Sequence, residues 1–143
     1  MKALTVRQPW AALILHGGKN IENRRRNIVG NYRGEIAIHA ALTDDPAGFA
    51  QYPRMRMRRP ALVHGAILGI VDVIGVHRAG ECPGGNRGRC DPWGEDIDGV
   101  HIELAWPRPI AEPIPCRGFL GLWTLDDATT LRTAKALAEA VRR

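Results

Sequence analysis

The sequence predicts an α+β fold: a small curved β-barrel flanked by two or three helices. About six segments read as strands and two read firmly as helices. The strands do not alternate regularly with long helices, which disfavours a doubly wound parallel sheet. The longest apolar run, Gly65 to His77, holds Gly69 and Gly75 inside it. Interior glycines of that kind mark bends or bulges in a curved strand. The 143 residues fit one domain, residues 1–143, with room for one sizeable core.

The elements follow in order. Residues 2–7 alternate weakly and predict a strand. Pro9 suits the first turn of a helix, where its missing N–H costs nothing. Trp10 to Leu15 is apolar on every side, so the short helix should be buried, with Trp10 in the core. Gly17-Gly18 supplies a left-handed stop. From Lys19 the chain should extend, and alternation then sends Ile21 to the core while Asn20, Glu22 and Arg24 share the other side. Glu35 to Ala41 is apolar on both faces and predicts a central strand. Asp44 or Asp45 is a candidate helix cap before Pro46. The basic Pro53–Pro60 piece reads as a surface loop, and residues 79–99 as a long glycine-rich loop. His101 to Trp106 reads as a strand. Pro107, Pro109, Pro113 and Pro115 then make the chain extended and edge-like. Phe119 to Leu125 is a further strand. Asp126 or Asp127 caps a closing helix over about 127–142, with Leu131, Ala134, Ala138 and Val141 as its stripe. Arg142 and Arg143 suit its C-terminal dipole.

The net charge is +5, with 20 basic residues of which 17 are arginine. Arg24-Arg25-Arg26 forms one cluster and Arg54, Arg56, Arg58 and Arg59 another. Arginine pairs bidentately with phosphate and stacks on bases, so a nucleic-acid partner is one expectation and a solvated basic surface the other. No run of 18 apolar residues signals a membrane span, and no signal-peptide pattern opens the chain. A cytoplasmic protein without membrane contact is therefore expected. Cys82, Cys90 and Cys116 read as reduced thiols. Seven residues separate Cys82 from Cys90, wider than the usual zinc pair. Even with His77 and His101 nearby, loop cysteines without a metal are the expectation. No phosphate loop, dinucleotide fingerprint or serine elbow occurs, so no cofactor is expected.

The candidate site is the turn after the first helix. Lys19 offers a phosphate clamp or, if desolvated, a general base. Glu22 offers an acceptor for an exocyclic base amine, or a group that orients water. A salt bridge from Glu22 to Lys19 or Arg24 is the plain alternative. Arg24 and Arg26 offer phosphate contacts. Gln8 and Trp10 open the helix beside them. Trp93 either stacks a base or anchors its loop over the barrel mouth. His39, on a face with the small Ala37 and Ala41, completes the ligand-binding candidates, although a satisfied core histidine is the commoner role for such a residue. Cys90 and Cys116 have no base beside them in the sequence.

Val6-Arg7-Gln8-Pro9-Trp10-Ala11, followed by Gly18-Lys19-x-Ile21-Glu22-x-Arg24, resembles the ASCH (activating signal cointegrator homology) domain of the PUA-like superfamily. Arg33-Gly34-Glu35-Ile36-Ala37-Ile38-His39-Ala40 continues the pattern. Cys90-x-Pro92-Trp93-Gly94 and Pro115-Cys116-Arg117-Gly118-x-x-Gly121-Leu122-Trp123 are similar to bacterial members. The resemblance spans about residues 3–125. It implies a barrel-like fold with a cleft at the Gly-x-Lys-x-x-Glu turn, and a role in RNA, DNA or nucleoside recognition. It also implies an enzyme alternative, a metal-independent amidohydrolase on N4-acylated cytidine or a ribonuclease, with Lys19 and Glu22 as catalytic residues. The amidohydrolase subgroup carries threonine where this chain has Glu22. A protein-interaction module is the third class.

Overall fold

The structure is a computed structural model that describes residues 1–83, 90 and 92–142. Gly84, Gly85, Gly88 and Arg143 lie outside the described residues. Among the described residues six strands form one mixed sheet: β1 (Lys2–Val6), β2 (Ile21–Arg24), β3 (Gly34–Ala40), β4 (Ala66–Arg78), β5 (Val100–Pro115) and β6 (Leu122–Thr124). The strand order is β2-β5-β4-β3-β1-β6. Among the described residues only the β1–β3 pair is parallel. Among the described residues four α-helices accompany it: α1 (Trp10–His16), α2 (Pro46–Gln51), α3 (Arg54–Arg58) and α4 (Asp127–Val141). No helix among the described residues is long and apolar enough to cross a membrane.

The sheet curls into a half-barrel, and its glycines explain why. The register of β4 on β5 shifts between Ile67 and Gly69 and again between Val73 and Gly75, bulges that sharpen the local twist. Gly69 is obligatory for a second reason: a Cβ there would lie 2.5 Å from the Arg108 carbonyl oxygen. The curl brings edge strand β2 round toward β1, so that Arg24 donates to the Thr5 carbonyl at 3.0 Å.

β3 is central, as its doubly apolar pattern requires. Ile36 and Ile38 enter the inner core with Leu4, Val6, Ile14 and Ile102, whereas Ala37 enters the outer core with Ile67, Ile110 and Ile114. Each such aliphatic side chain contributes about 1.5–3 kcal/mol on burial. α1 caps the inner core through Ala11, Ile14 and Leu15 and turns Leu13 toward Phe49 and Met55.

Four expectations change. The Pro53–Pro60 piece is helix rather than loop, because Met55 is drawn into the pocket made by Leu13 and Phe49. The two segments predicted between His101 and Pro115 are one strand, β5, with Trp106 at φ 52 where it bends. Beyond Glu103 it pairs with β4 alone, so its prolines sit on an open edge. β6 covers only Leu122–Thr124. Asp126 caps α4, accepting from the Thr129 amide at 2.7 Å, but the helix buries Thr129 and Thr133, with Ala136 and Leu137 against the outer core. Leu131 (72% exposed) and Val141 (86%) face outward. The small Thr–Thr–Ala face lets the helix lie close on β5, which the bulkier stripe could not.

Candidate functional site

The cleft begins at the end of α1. The amides of Gly17 and Lys19 both fold back on the Leu13 carbonyl, at 2.9 and 3.0 Å, and Gly18 adopts φ +77, a conformation that costs glycine nothing. This turn drives Lys19 inward instead of letting it snorkel. The next residues form β2, with Ile21 in the core as alternation predicts. Glu22 and Arg24 share the opposite side.

Lys19 and Glu22 are buried, 4% and 6% exposed. The Lys19 ammonium donates to the Ile21 carbonyl. It stands 3.7 Å from Glu22 Oε1 and lies over the Trp10 ring at 5.3 Å. Arg24 donates to Glu22 Oε2 at 3.0 Å. One carboxylate is thus clamped between two cations at the floor of the cleft. Burial pushes the Lys19 pKa below its ordinary value, against the upward pull of the Glu22 and Glu95 carboxylates.

The cleft encloses about 800 Å³, within the range of small-molecule sites. Trp10, Lys19, Glu22, Arg24 and His39 all line it. Trp10 is half-buried rather than core, because its indole donates to Asp45 at 2.8 Å and leaves a face on the cleft. His39 is held at the far end. Its Nε2 donates to the Cys116 carbonyl at 2.8 Å, so Nδ1 accepts from the Thr5 hydroxyl at 3.3 Å. Thr5 Oγ1 in turn accepts from the Trp123 indole at 3.1 Å. With both ring nitrogens engaged, His39 is a relay between the Cys116 carbonyl and the Thr5–Trp123 pair. Burial keeps its pKa below the usual value.

Three candidates stand elsewhere. The Gln8 side chain is spent on backbone, donating to Val63 O and accepting from Ala12 N, both at 3.0 Å. Arg26 is exposed beyond the end of β2. Trp93 stacks on Tyr52 with centroids 5.3 Å apart and packs with Leu13, Phe49 and Met55. It anchors its loop and lies off the cleft lining.

Sequence reasoning passed over the residues of the mouth. Arg7, Glu95, Arg117 and Phe119 line the cleft. Phe119 is half exposed, with the Arg117 guanidinium 5.2 Å above its ring. The Arg117-Gly118 pair after the prolines was the available signal. A Cβ at Gly118 would fall 2.5 Å from His39 Cε1, so only glycine lets this loop close over the relay. Chemically, the site offers a buried acceptor between fixed cations, an aromatic face and an arginine-rich opening.

The model of the ASCH domain family matches residues 4–87, more than half of the chain. Among solved structures, the chain is similar to ASCH from Zymomonas mobilis at 16% identity and a TM-score of 0.58, covering 94% of this chain and 93% of that one. A mutant of the same Zymomonas mobilis protein matches at 15% identity and a TM-score of 0.58, covering 94% and 96%. At that identity the likeness is one of fold. No curated protein matches the chain.

Proposed function

The chain belongs to the ASCH domain family, and from that premise we propose that its cleft binds a nucleobase, presented as a nucleoside or as an unstacked nucleotide of RNA or single-stranded DNA. The observation that carries this reading is the Lys19–Glu22–Arg24 clamp at the floor of an open cleft. A desolvated ion group is weak support for stability, whereas a carboxylate held rigid by two cations is a pre-oriented acceptor for an exocyclic amine. Phe119 supplies a face for stacking. Arg7 and Arg117 bring positive charge to the mouth, where a phosphate would lie.

Thermal-shift measurements with a panel of nucleosides and short oligonucleotides test it. A true ligand raises the unfolding midpoint by linkage, worth about 2.7 kcal/mol at a hundredfold excess over Kd. Glu22→Gln should weaken binding roughly 5- to 150-fold, the value of one good base contact of about 1–3 kcal/mol. No shift with any member of the panel, or wild-type affinity in a folded Glu22→Gln protein, would refute the reading.

One observation favours a second role. Burial lowers the pKa of Lys19 beside Glu22, which moves the amine toward the range of a general base. Incubation with N4-acetylcytidine, following loss of the acyl group, tests for amide hydrolysis. Absence of turnover above buffer would dismiss it.

A further inference from the structure

We propose that His77, Cys82, Cys90 and His101 form a closed zinc site that staples the 92–95 segment to the sheet. Their ligand atoms all lie within 4.8 Å of one another. His77 Nε2 stands 3.1 Å from His101 Nδ1, Cys82 Sγ 3.4 Å from His101 Nδ1, and Cys90 Sγ 3.3 Å from His77 Nε2. Tetrahedral zinc, with Zn–N of about 2.0–2.1 Å and Zn–S of about 2.3 Å, holds its ligands roughly 3.3–3.8 Å apart. The cluster is therefore near its ligated size.

The outer hydrogen bonds aim the lone pairs inward. His101 Nε2 faces the Glu95 carbonyl at 2.7 Å and His77 Nδ1 faces the Glu103 carboxylate at 3.0 Å. Both partners only accept, so those nitrogens carry the protons. Each ring then turns its second nitrogen, His77 Nε2 and His101 Nδ1, into the cluster, where Cys90 Sγ stands 3.3 Å from the first and Cys82 Sγ 3.4 Å from the second. Two nitrogens and two sulfurs converging on one point are the arrangement that a cation placed between them would satisfy. A carboxylate–histidine and a carbonyl–histidine pair are the outer partners that zinc ligands use. Two thiolates and two imidazoles are a zinc donor set, and the thiolates cancel the charge of Zn²⁺.

Cys90, His77 and Glu103 also stand in the order of a nucleophile, a base and an orienting carboxylate. His101 (0% exposed) and Cys82 (8%) crowd that line, and none of the four residues lines the cleft. Four ligands with no open position make a structural site, not a catalytic one.

The site connects to the cleft through its second layer. Asn23 donates to the Trp93 carbonyl at 2.9 Å and accepts from the Glu95 amide at 2.8 Å. The backbone of Glu95 therefore serves the cluster while its side chain lines the cleft. Gly94 fits only as glycine, since a Cβ there would lie 2.5 Å from Cys90 N and 2.7 Å from His101 Cε1.

The test is metal content and cobalt spectroscopy on the reduced full chain, neither of which depends on a nucleobase ligand. Wild-type protein reconstituted with Zn²⁺ should retain about one equivalent after desalting. With Co²⁺ it should show the intense visible bands of a tetrahedral S2N2 site and a sulfur-to-cobalt charge-transfer band. Cys82→Ser/Cys90→Ser should lose both, and Cys116→Ser should keep both. Should the double variant fail to fold, Glu103→Gln decides, with metal affinity about 10- to 100-fold lower. A reduced wild-type protein that retains neither metal, or a folded double variant that retains it fully, would overturn the proposal.

Discussion

Lys19, Glu22 and Arg24 come from six consecutive residues, whereas His77, Cys82, Cys90 and His101 are drawn from 25. Both groups are polar clusters on the β2–β5 side of the sheet, since Glu22 pairs in register with Ile102 and Asn23 with His101. The first opens on a cleft and the second closes on itself. The first is held by one turn and one strand. The second exists only because bulged β4 sets His77 opposite His101 and the loop returns Cys82 and Cys90 to the same point. A contiguous cluster can be set by local geometry, and a dispersed one needs the whole sheet.

That contrast can be broken most sharply at Glu22. Removing the carboxylate strands Lys19 in the interior, and Glu22→Ala should cost about 3–5 kcal/mol in urea unfolding. The double variant Lys19→Met/Glu22→Leu should recover most of that loss, because it removes the two buried charges together and leaves only the partly exposed Arg24 without its carboxylate. Additive losses in the cycle would show that the two side chains do not act as a unit.

The two aromatics come next. Trp93→Ala should lower stability by about 1–3 kcal/mol, since the ring packs on Tyr52 and Met55. Ligand affinity should change little by comparison. Phe119→Ala should do the reverse, costing about 1–3 kcal/mol of base stacking with little change in unfolding midpoint. Swapped phenotypes would move the stacking platform back to the 79–99 loop.

The smallest effect is at His39. Burial holds its folded pKa below the usual 6.5. The unfolded chain therefore binds the proton more readily, and stability rises with pH until it levels off above about 6.5. Midpoints measured across this range should fall on acidification, and His39→Gln should flatten that slope. An unchanged slope would remove His39 from the acid response.

Much of this was legible in the residues. The helix stop at Gly17-Gly18, the inward plug of Ile21 and the shared face of Glu22 and Arg24 all follow from backbone sterics and two-residue alternation. The doubly apolar β3 followed from its pattern too. The buried face of α4 is not legible in the same way, because its strongest apolar stripe points to solvent and the sheet selects the small residues instead. Trp93 reads in the sequence as a platform or an anchor alike, because a loop aromatic has no visible partner in one dimension. Tyr52, which stacks on it, lies 41 positions away.

The sequence by itself determined the α+β class, the membership in the ASCH family carried by its ordered motifs, and the charged turn that floors the cleft. These rest on interactions between residues a few positions apart, where propensity and periodicity act. Tertiary structure alone decided the mouth with Phe119 and Arg117, the engaged His39 relay and the gathering of two cysteines with two histidines. Each of those depends on how far the sheet curls, and the curl is the sum of bulges and close backbone approaches across strands distant in sequence.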